Sequence, residues 1–169
     1  MLSVTTILHK LLQDQGYAGA LLVPGDDGLR EMYQRKNYVN CTAMNTILSA
    51  SQPETVPIHP IDREEYGKLR RTLLPKNGVI QEGENLLFLE TQYKLYTGPG
   101  FLLCARPKTE VFLEGAEFLG DPALLPGILC ALGYPHGSFR MPGEAIPFAM
   151  ICLLKKDAPV PGYFGLAFD

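Results

Sequence analysis

The sequence has no excess of positive charge, no apolar run long enough to cross a membrane and no closely paired cysteines. Its 15 lysines and arginines are outnumbered by 18 aspartates and glutamates, which gives a formal net charge of −3. Because nucleic-acid-binding domains carry a basic surface, we expect no nucleic-acid partner. The N-terminus lacks the basic, apolar and small-residue order of a signal peptide, so a cytoplasmic location without membrane association is expected.

Residues that hold metals or form disulfides are also sparse. Four cysteines are spread along the chain, at Cys41, Cys104, Cys130 and Cys152. No histidine lies at zinc-ligand spacing from them, so no metal site is predicted and the cysteines are interpreted as small buried thiols. His9 lies on the polar face of a predicted helix and is interpreted as solvated. No Ser-His-Asp or nucleotide-binding signature is present.

The first forty residues predict a helix, a strand and a second helix. Apolar residues recur at helical spacing over residues 2–15. Residues 18–23 form a short apolar run that is typical of a strand covered on both faces. Asp26 or Asp27 can cap the next helix, which is predicted to extend to about Lys36.

A polar stretch over residues 39–55 is interpreted as a linker or crossover, and a second unit is predicted to follow it. Its predicted order is β-α-α-β-β-α-β-β-β, which indicates an α+β fold with a mixed sheet. The predicted segments are an edge strand over 56–61, helices over 62–74 and 82–95, strands over 101–106 and 110–118, a helix over 121–132, and strands over 137–140, 148–154 and 163–168. Asp62 followed by Glu65 resembles a capping box at the start of the first of these helices.

Three stretches of the sequence carry a resemblance to a known family. Residues 20–38 read Ala-Leu-Leu-Val-Pro-Gly-Asp-Asp-Gly-Leu-Arg-Glu-Met-Tyr-Gln-Arg-Lys-Asn-Tyr. This strand, sharp turn and tyrosine-bearing helix closely resemble the closing βα segment of the GNAT superfamily of acyl-CoA N-acyltransferases. Phe139-Arg140-Met141-Pro142-Gly143 and Tyr163-Phe164-Gly165-Leu166 resemble the end of the second lobe of bacterial tandem-GNAT proteins.

The resemblance implies a particular architecture. Residues 1–52 would be the C-terminal part of a first GNAT lobe (helix-strand-helix) plus a linker, and residues 53–169 a second, degenerate GNAT-like domain. Each such domain has a mixed, mostly antiparallel sheet flanked by helices. Because the motif begins so close to Met1, most of the first lobe is predicted to be absent. The exposed sheet edge beside residues 18–23 would favour a homodimer or a strand-completing partner.

The resemblance also implies a chemistry and its site residues. A GNAT enzyme transfers an acetyl group from acetyl-CoA to an amine, here a small molecule or a peptide, and a tyrosine commonly protonates the leaving thiolate. By motif position that tyrosine is Tyr33. Arg35 and Lys36 would contact the CoA phosphates. Asn37 replaces the usual glycine before the aromatic residue, and asparagine also enters the left-handed region.

Other interpretations of these residues remain open. Tyr33 lies four residues after Leu29 and could only pack its helix onto the sheet. No glycine-rich phosphate loop precedes the strand at residue 18, and Leu119-Gly120-Asp121-Pro122-Ala123 puts a carboxylate and a proline where phosphate-binding N–H groups would be needed. The alternative function is therefore a non-catalytic interaction or regulatory module. The acidic strand residues Glu110, Glu114 and Glu117 could line an amine-binding face or form a solvated face.

Overall fold

The computed structural model describes residues 4–166, which form five α-helices, ten β-strands and one short 3₁₀ helix. None of the helices in this range is long and apolar enough to cross a membrane. The helices are α1 (Val4–Asp14), α2 (Asp27–Gln34), α3 (Arg63–Leu73), α4 (Glu84–Gln92) and α5 (Leu125–Leu132). The strands are β1 (Gly19–Leu22), β2 (Val39–Asn40), β3 (Ala43–Ala50), β4 (His59–Pro60), β5 (Lys94–Gly98), β6 (Phe101–Thr109), β7 (Phe112–Leu119), β8 (His136–Pro142), β9 (Ile146–Pro147) and β10 (Met150–Leu153).

The strands form two sheets. The larger one has the order β4-β5-β6-β7-β8-β3-β9, and the smaller one has the order β1-β10-β2. All neighbouring strands are antiparallel except β7 and β8, which run parallel from Phe112 opposite His136 to Gly115 opposite Phe139. The predicted α+β class with a mixed, mostly antiparallel sheet is confirmed.

The two sheets exchange strands. Strand β3 lies between β8 and β9, although it belongs to the N-terminal part of the chain. Strand β10 lies between β1 and β2, although it belongs to the C-terminal part. Each sheet therefore contains a three-stranded group whose middle strand comes from the other end of the sequence. A domain boundary near residue 52 stays a prediction, because the sheets themselves do not divide there.

Several local predictions are confirmed by hydrogen bonds or backbone angles. The Asp26 carboxylate accepts from the backbone N–H of Leu29 at 2.7 Å, and the Asp62 carboxylate accepts from that of Glu65 at 2.9 Å. These bonds satisfy N–H groups that the first turn of a helix leaves without partners. Asn37 has φ +65° and closes the loop after α2 in the left-handed conformation.

Three segment predictions were wrong. The polar stretch 39–55 is not only a linker, because β3 lies within it and pairs with β8 over seven residues. The predicted helix 82–95 ends earlier, since β5 begins at Lys94 and pairs with β6. In the predicted strand 163–168, Tyr163 forms only an isolated bridge with Gly78, and residues 167 and 168 lie outside the described part of the chain.

Apolar residues cover both faces of the large sheet. One cluster packs α3 and α4 against one face, with Tyr66, Leu86, Leu89 and Leu102 almost completely buried. A second cluster packs α5 against the opposite face around Phe101, Phe118 and Phe139. The small sheet is less covered, because α1 has no buried residue and β1 is only half-buried throughout. The large sheet therefore holds the main core of the described residues.

Candidate functional site

Tyr33 lies near the end of α2 and faces the small sheet. Its half-buried ring meets the Tyr38 ring edge-on, with 5.3 Å between ring centroids, and packs against a cluster that contains Met150 and Cys152. Within residues 4–166, no hydrogen bond to the Tyr33 hydroxyl is formed. The ring therefore anchors α2, while the hydroxyl is left available to another group.

A chain of polar contacts continues from Tyr38. The His9 Nε2 atom lies 2.9 Å from the Tyr38 hydroxyl, and the Cys152 Sγ atom lies 3.8 Å from His9 Nδ1. Burial, with smaller contributions from Cys152 and Tyr33, raises the pKa of Tyr38 above its ordinary value. His9 is thus half-buried and hydrogen-bonded. The interpretation of His9 as a solvated residue was wrong, because its helix turns this side chain toward the small sheet.

A polar cavity of about 280 Å³ lies between α1 and the loop after α2. It is lined by Thr5, Thr6, His9, Arg35, Lys36 and Asn37. The structure thus places Arg35 and Lys36 at one cavity, two and three residues beyond Tyr33. Among the described residues, the lining has two cations, two hydroxyl groups and no carboxylate. This composition suits a phosphate group, which needs positive charge and hydrogen-bond donors.

The helical segment that follows β7 begins with a carboxylate and prolines. The Asp121 carboxylate accepts a hydrogen bond from the backbone N–H of Ala123 at 2.9 Å, and prolines occupy the first turns at Pro122 and Pro126. The N–H groups that would face a phosphate are thus reduced in number, and a negative charge already lies beside them. The sequence-based prediction of a carboxylate and a proline at this helix start is confirmed.

A buried ion pair joins α3 to β7. The Arg70 Nε and Nη2 atoms donate to the two carboxylate oxygens of Glu117 at 2.8 and 2.9 Å. The two side chains are 1% and 0% exposed. The Tyr66 hydroxyl donates to the same carboxylate at 2.8 Å and the Tyr163 hydroxyl at 3.1 Å. Burial, reinforced by the Glu117 charge, raises the pKa of Tyr66 and Tyr163 well above the ordinary tyrosine value.

The guanidinium of Arg70 also binds the loop between α3 and α4 and the C-terminal segment. It donates to the backbone carbonyls of Val79 and Phe164 at 2.8 and 3.0 Å. Gly165 packs so closely that a Cβ atom there would lie 2.2 Å from a Glu117 carboxylate oxygen. The acidic solvated face proposed for Glu110, Glu114 and Glu117 is therefore wrong for Glu117. The available signal in the sequence was the apolar character of its neighbours Ala116, Phe118 and Leu119, which are buried together with Glu117 in β7.

The cysteines divide into two groups. Cys104 and Cys152 are buried, as predicted, whereas Cys41 and Cys130 are only half-buried, and all four are free thiols. Burial raises the pKa of the Cys104 thiol far above its ordinary value. No group of three or more metal-ligating side chains occurs among the described residues.

Comparison with solved structures identifies the fold. A structure described as a GCN5-related N-acetyltransferase from Kribbella flavida superposes with a TM-score of 0.58 at 9% sequence identity, over 86% of this chain and 45% of that chain. The chain has the GNAT fold. A conserved protein of unknown function from Enterococcus faecalis V583, described as a probable N-acyltransferase, has a TM-score of 0.58 at 13% identity, over 90% of this chain and 50% of that chain.

The comparisons also show how far this likeness extends. The chain spans about half the length of these two GNAT-fold structures. No family model matches the sequence, and no curated protein matches it. At such low identity the likeness establishes the GNAT fold itself, and the division into tandem lobes stays a prediction.

Proposed function

We propose that this protein belongs to an acyl-CoA-dependent N-acyltransferase system that transfers an acetyl group to an amine. The GNAT fold supports an acyltransferase-like function in general. The observation that carries the proposal is the basic cavity formed by Arg35, Lys36 and His9 beside the helix that presents Tyr33. Residues 33–36 thus provide both the cations that would bind phosphate and the hydroxyl that would protonate the leaving thiolate.

Each residue has a distinct role in the proposed reaction. Arg35 and Lys36 hold the CoA phosphates through charge-assisted hydrogen bonds, with Thr5 and Thr6 as further donors. The bound acyl-CoA supplies the thioester that the amine attacks. The Tyr33 hydroxyl donates its proton to sulfur as the carbon–sulfur bond breaks, a role that suits a phenol because a phenol, with a reference pKa of about 10, is protonated at neutral pH. The attacking amine releases its own proton to solvent, and a proton from solvent restores the hydroxyl. Tyr38 fixes the Tyr33 ring through their edge-on contact.

Acetyl-CoA should stabilise the protein in a thermal-unfolding titration. A ligand at one hundred times its dissociation constant stabilises a folded protein by about 2.7 kcal/mol. The double variant Arg35→Gln, Lys36→Gln should weaken binding by about tenfold or more, since a hydrogen bond to a charged group contributes about 1.5–3 kcal/mol. Adenosine 3′,5′-bisphosphate should compete, because it carries phosphates without the thiol.

The matched control for this titration is Lys94→Gln, which removes an exposed cation from β5 and should leave binding unchanged. An equal loss of binding in Lys94→Gln and in the double variant would indicate only a general charge effect. No stabilisation by millimolar acetyl-CoA would contradict binding by this chain.

We further propose that the small sheet is extended in a homodimer, in which the free edge of β1 pairs with the partner chain. Strand β1 pairs with β10 on one side only within residues 4–166. The carbonyl of Ala18 accepts from Leu154 N at 3.0 Å, and hydrogen-bonded pairs alternate along an antiparallel ladder. Gly19 and Leu21 therefore direct their N–H and C=O groups toward the free edge, where another strand can pair.

Sedimentation velocity over a range of concentrations tests the homodimer. Leu21→Pro removes an outward N–H group and should shift the protein to the monomer. Ala20→Pro removes an N–H group that bonds β10, so it should instead lower stability. A wild-type chain that stays monomeric at every concentration would exclude the homodimer and leave a different strand-completing partner as the remaining candidate.

A further inference from the structure

Helix α1 has a stripe of apolar side chains on its surface. The exposed fractions are 83% for Val4, 56% for Ile7, 46% for Leu8 and 53% for Leu11. Their spacing places these four residues, the α1 stripe, along one side of the helix. Within residues 4–166, no apolar cluster includes them. Because an amphipathic helix normally packs such a stripe against another element, the α1 stripe indicates a contact surface.

Contacts with the small sheet fix the position and direction of α1. His9 contacts Cys152, which lies opposite Ala20 in the ladder between β1 and β10. One helical turn later, the Gln13 side chain donates to the backbone carbonyl of Leu154 at 3.1 Å. Helix α1 also contacts β1. It therefore lies over β1 and β10 and runs antiparallel to β1, with His9 at the level of Ala20.

The α1 stripe faces the free edge of β1. Thr6 and His9 line the polar cavity beside the loop after α2, and this loop leads into β2. Strand β10 separates β2 from β1, so the cavity side of α1 is turned away from the free edge. At 3.6 residues per turn, the centre of the stripe lies opposite the midpoint of Thr6 and His9 on the helix. The stripe and the free strand edge therefore lie on the same side of the molecule.

A single two-fold axis at Ala20 brings both features against a second copy of the chain. An antiparallel pair of β1 strands about this axis places Gly19 opposite the partner's Leu21, and these are the residues with outward N–H and C=O groups. The centre of the α1 stripe is about 2 Å along the helix from His9, which lies at the level of Ala20. The axis that pairs the strands therefore also passes close to the centre of the stripe.

The α1 stripe is complementary to itself under this symmetry. A two-fold axis reverses the second helix, and the spacing of three, one and three residues reads the same in both directions. Val4 then faces the partner's Leu11, and Ile7 faces the partner's Leu8. Because neighbouring strands are about 4.8 Å apart, two helices that each lie over β1 and β10 are about 10 Å apart across the axis, which is a normal distance between packed helices.

We propose that the α1 stripe packs antiparallel against the same stripe of a second copy of this chain, beside the paired β1 strands. This inference rests on the homodimer proposed above and assigns the side chains that hold it together. Strand β1 has four residues and forms few hydrogen bonds at its edge. Burial of the two stripes therefore provides most of the association free energy.

Leu8→Glu tests this packing, because Leu8 is next to the axis and α1 has no buried residue whose loss would unfold the monomer. The dissociation constant of the dimer, measured by sedimentation equilibrium, should rise about hundredfold or more. Each dimer loses two buried leucines and brings two like charges together. The circular dichroism spectrum should stay that of the unmodified protein.

Leu87→Glu is the matched control, because Leu87 is a leucine of α4 with nearly the same exposure as Leu8, 47%. It should leave the dissociation constant unchanged. Leu8→Lys should weaken the dimer as Leu8→Glu does. A mixture of these two variants should form a mixed dimer at least about tenfold tighter than either variant alone, because opposite charges then meet at the axis.

Three results would overturn the packing of stripe against stripe: a Leu8→Glu dimer as tight as the unmodified one, an equal loss in Leu87→Glu, or no mixed dimer. If Leu21→Pro dissociates the dimer and Leu8→Glu does not, the strand pairing stands and the helix packing fails. A monomer at every concentration excludes both. Sedimentation requires no acetyl-CoA, so a failure of acyl-CoA binding is detected separately.

Discussion

Arg70→Met should lower the free energy of unfolding by about 3–5 kcal/mol in a urea titration. The substitution leaves the Glu117 carboxylate buried without its cation, and breaking one side of a buried ion pair has a cost of this size. The backbone carbonyls of Val79 and Phe164 lose their donors at the same time. The effect should therefore be far larger than that of an ordinary surface substitution.

Arg71→Met is the matched control, because Arg71 is the next residue on α3 and pairs with Glu82 in an exposed position. Its urea midpoint should stay close to that of the unmodified protein. The double variant Arg70→Met, Glu117→Gln should recover part of the loss, because it removes the unpaired charge as well. If Arg70→Met is no more destabilising than Arg71→Met, the ion pair does not stabilise the fold as argued.

Tyr33→Phe should lower kcat for acetyl transfer by about 10²–10⁴-fold, the usual contribution of a positioned proton donor. The KM for acetyl-CoA should change little, because the phosphates are proposed to bind at Arg35 and Lys36. Stability should also be retained, since the phenyl ring keeps its contact with Tyr38. Release of free thiol from acetyl-CoA, measured with a set of primary amines and diamines, provides the assay.

The control for this substitution is Tyr17→Phe, which removes a hydroxyl from an exposed tyrosine of the same part of the chain. It should leave kcat unchanged. A Tyr33→Phe variant with full kcat would favour the alternative in which Tyr33 only packs α2 onto the sheet. A lower unfolding temperature with proportionally lower activity would likewise assign the hydroxyl a structural role.

Local features of the fold were accessible from the sequence because their causes lie within a few residues. Helix α2 and its cap at Asp26 follow from helical spacing and from a carboxylate that satisfies free N–H groups. The left-handed Asn37 follows from the side chain's tolerance of that conformation. The parallel pairing of β7 and β8 around a crossover helix is likewise consistent with the predicted α+β order.

The features that were missed depend on partners far away in the sequence. Residues 43–50 mix polar and apolar side chains, and only their pairing with β8 makes them a strand. The apolar residues of Lys94 to Gly98 follow those of α4 at helical spacing, which predicted a longer helix. Their pairing with β6, which local spacing does not show, makes them a strand. Glu117 resembled a solvated carboxylate because its partner Arg70 lies on a different element.

The exchange of strands between the sheets has a consequence for folding kinetics. Gly19 pairs with Leu153, so the first strand acquires its hydrogen-bonded neighbour only after almost the whole described chain is available. Contacts between residues so distant in sequence close slowly, because the loop entropy is lost before the pairing is gained. During synthesis, β1 and β3 therefore remain unpaired until the C-terminal strands are made, and unpaired strand edges are prone to aggregation.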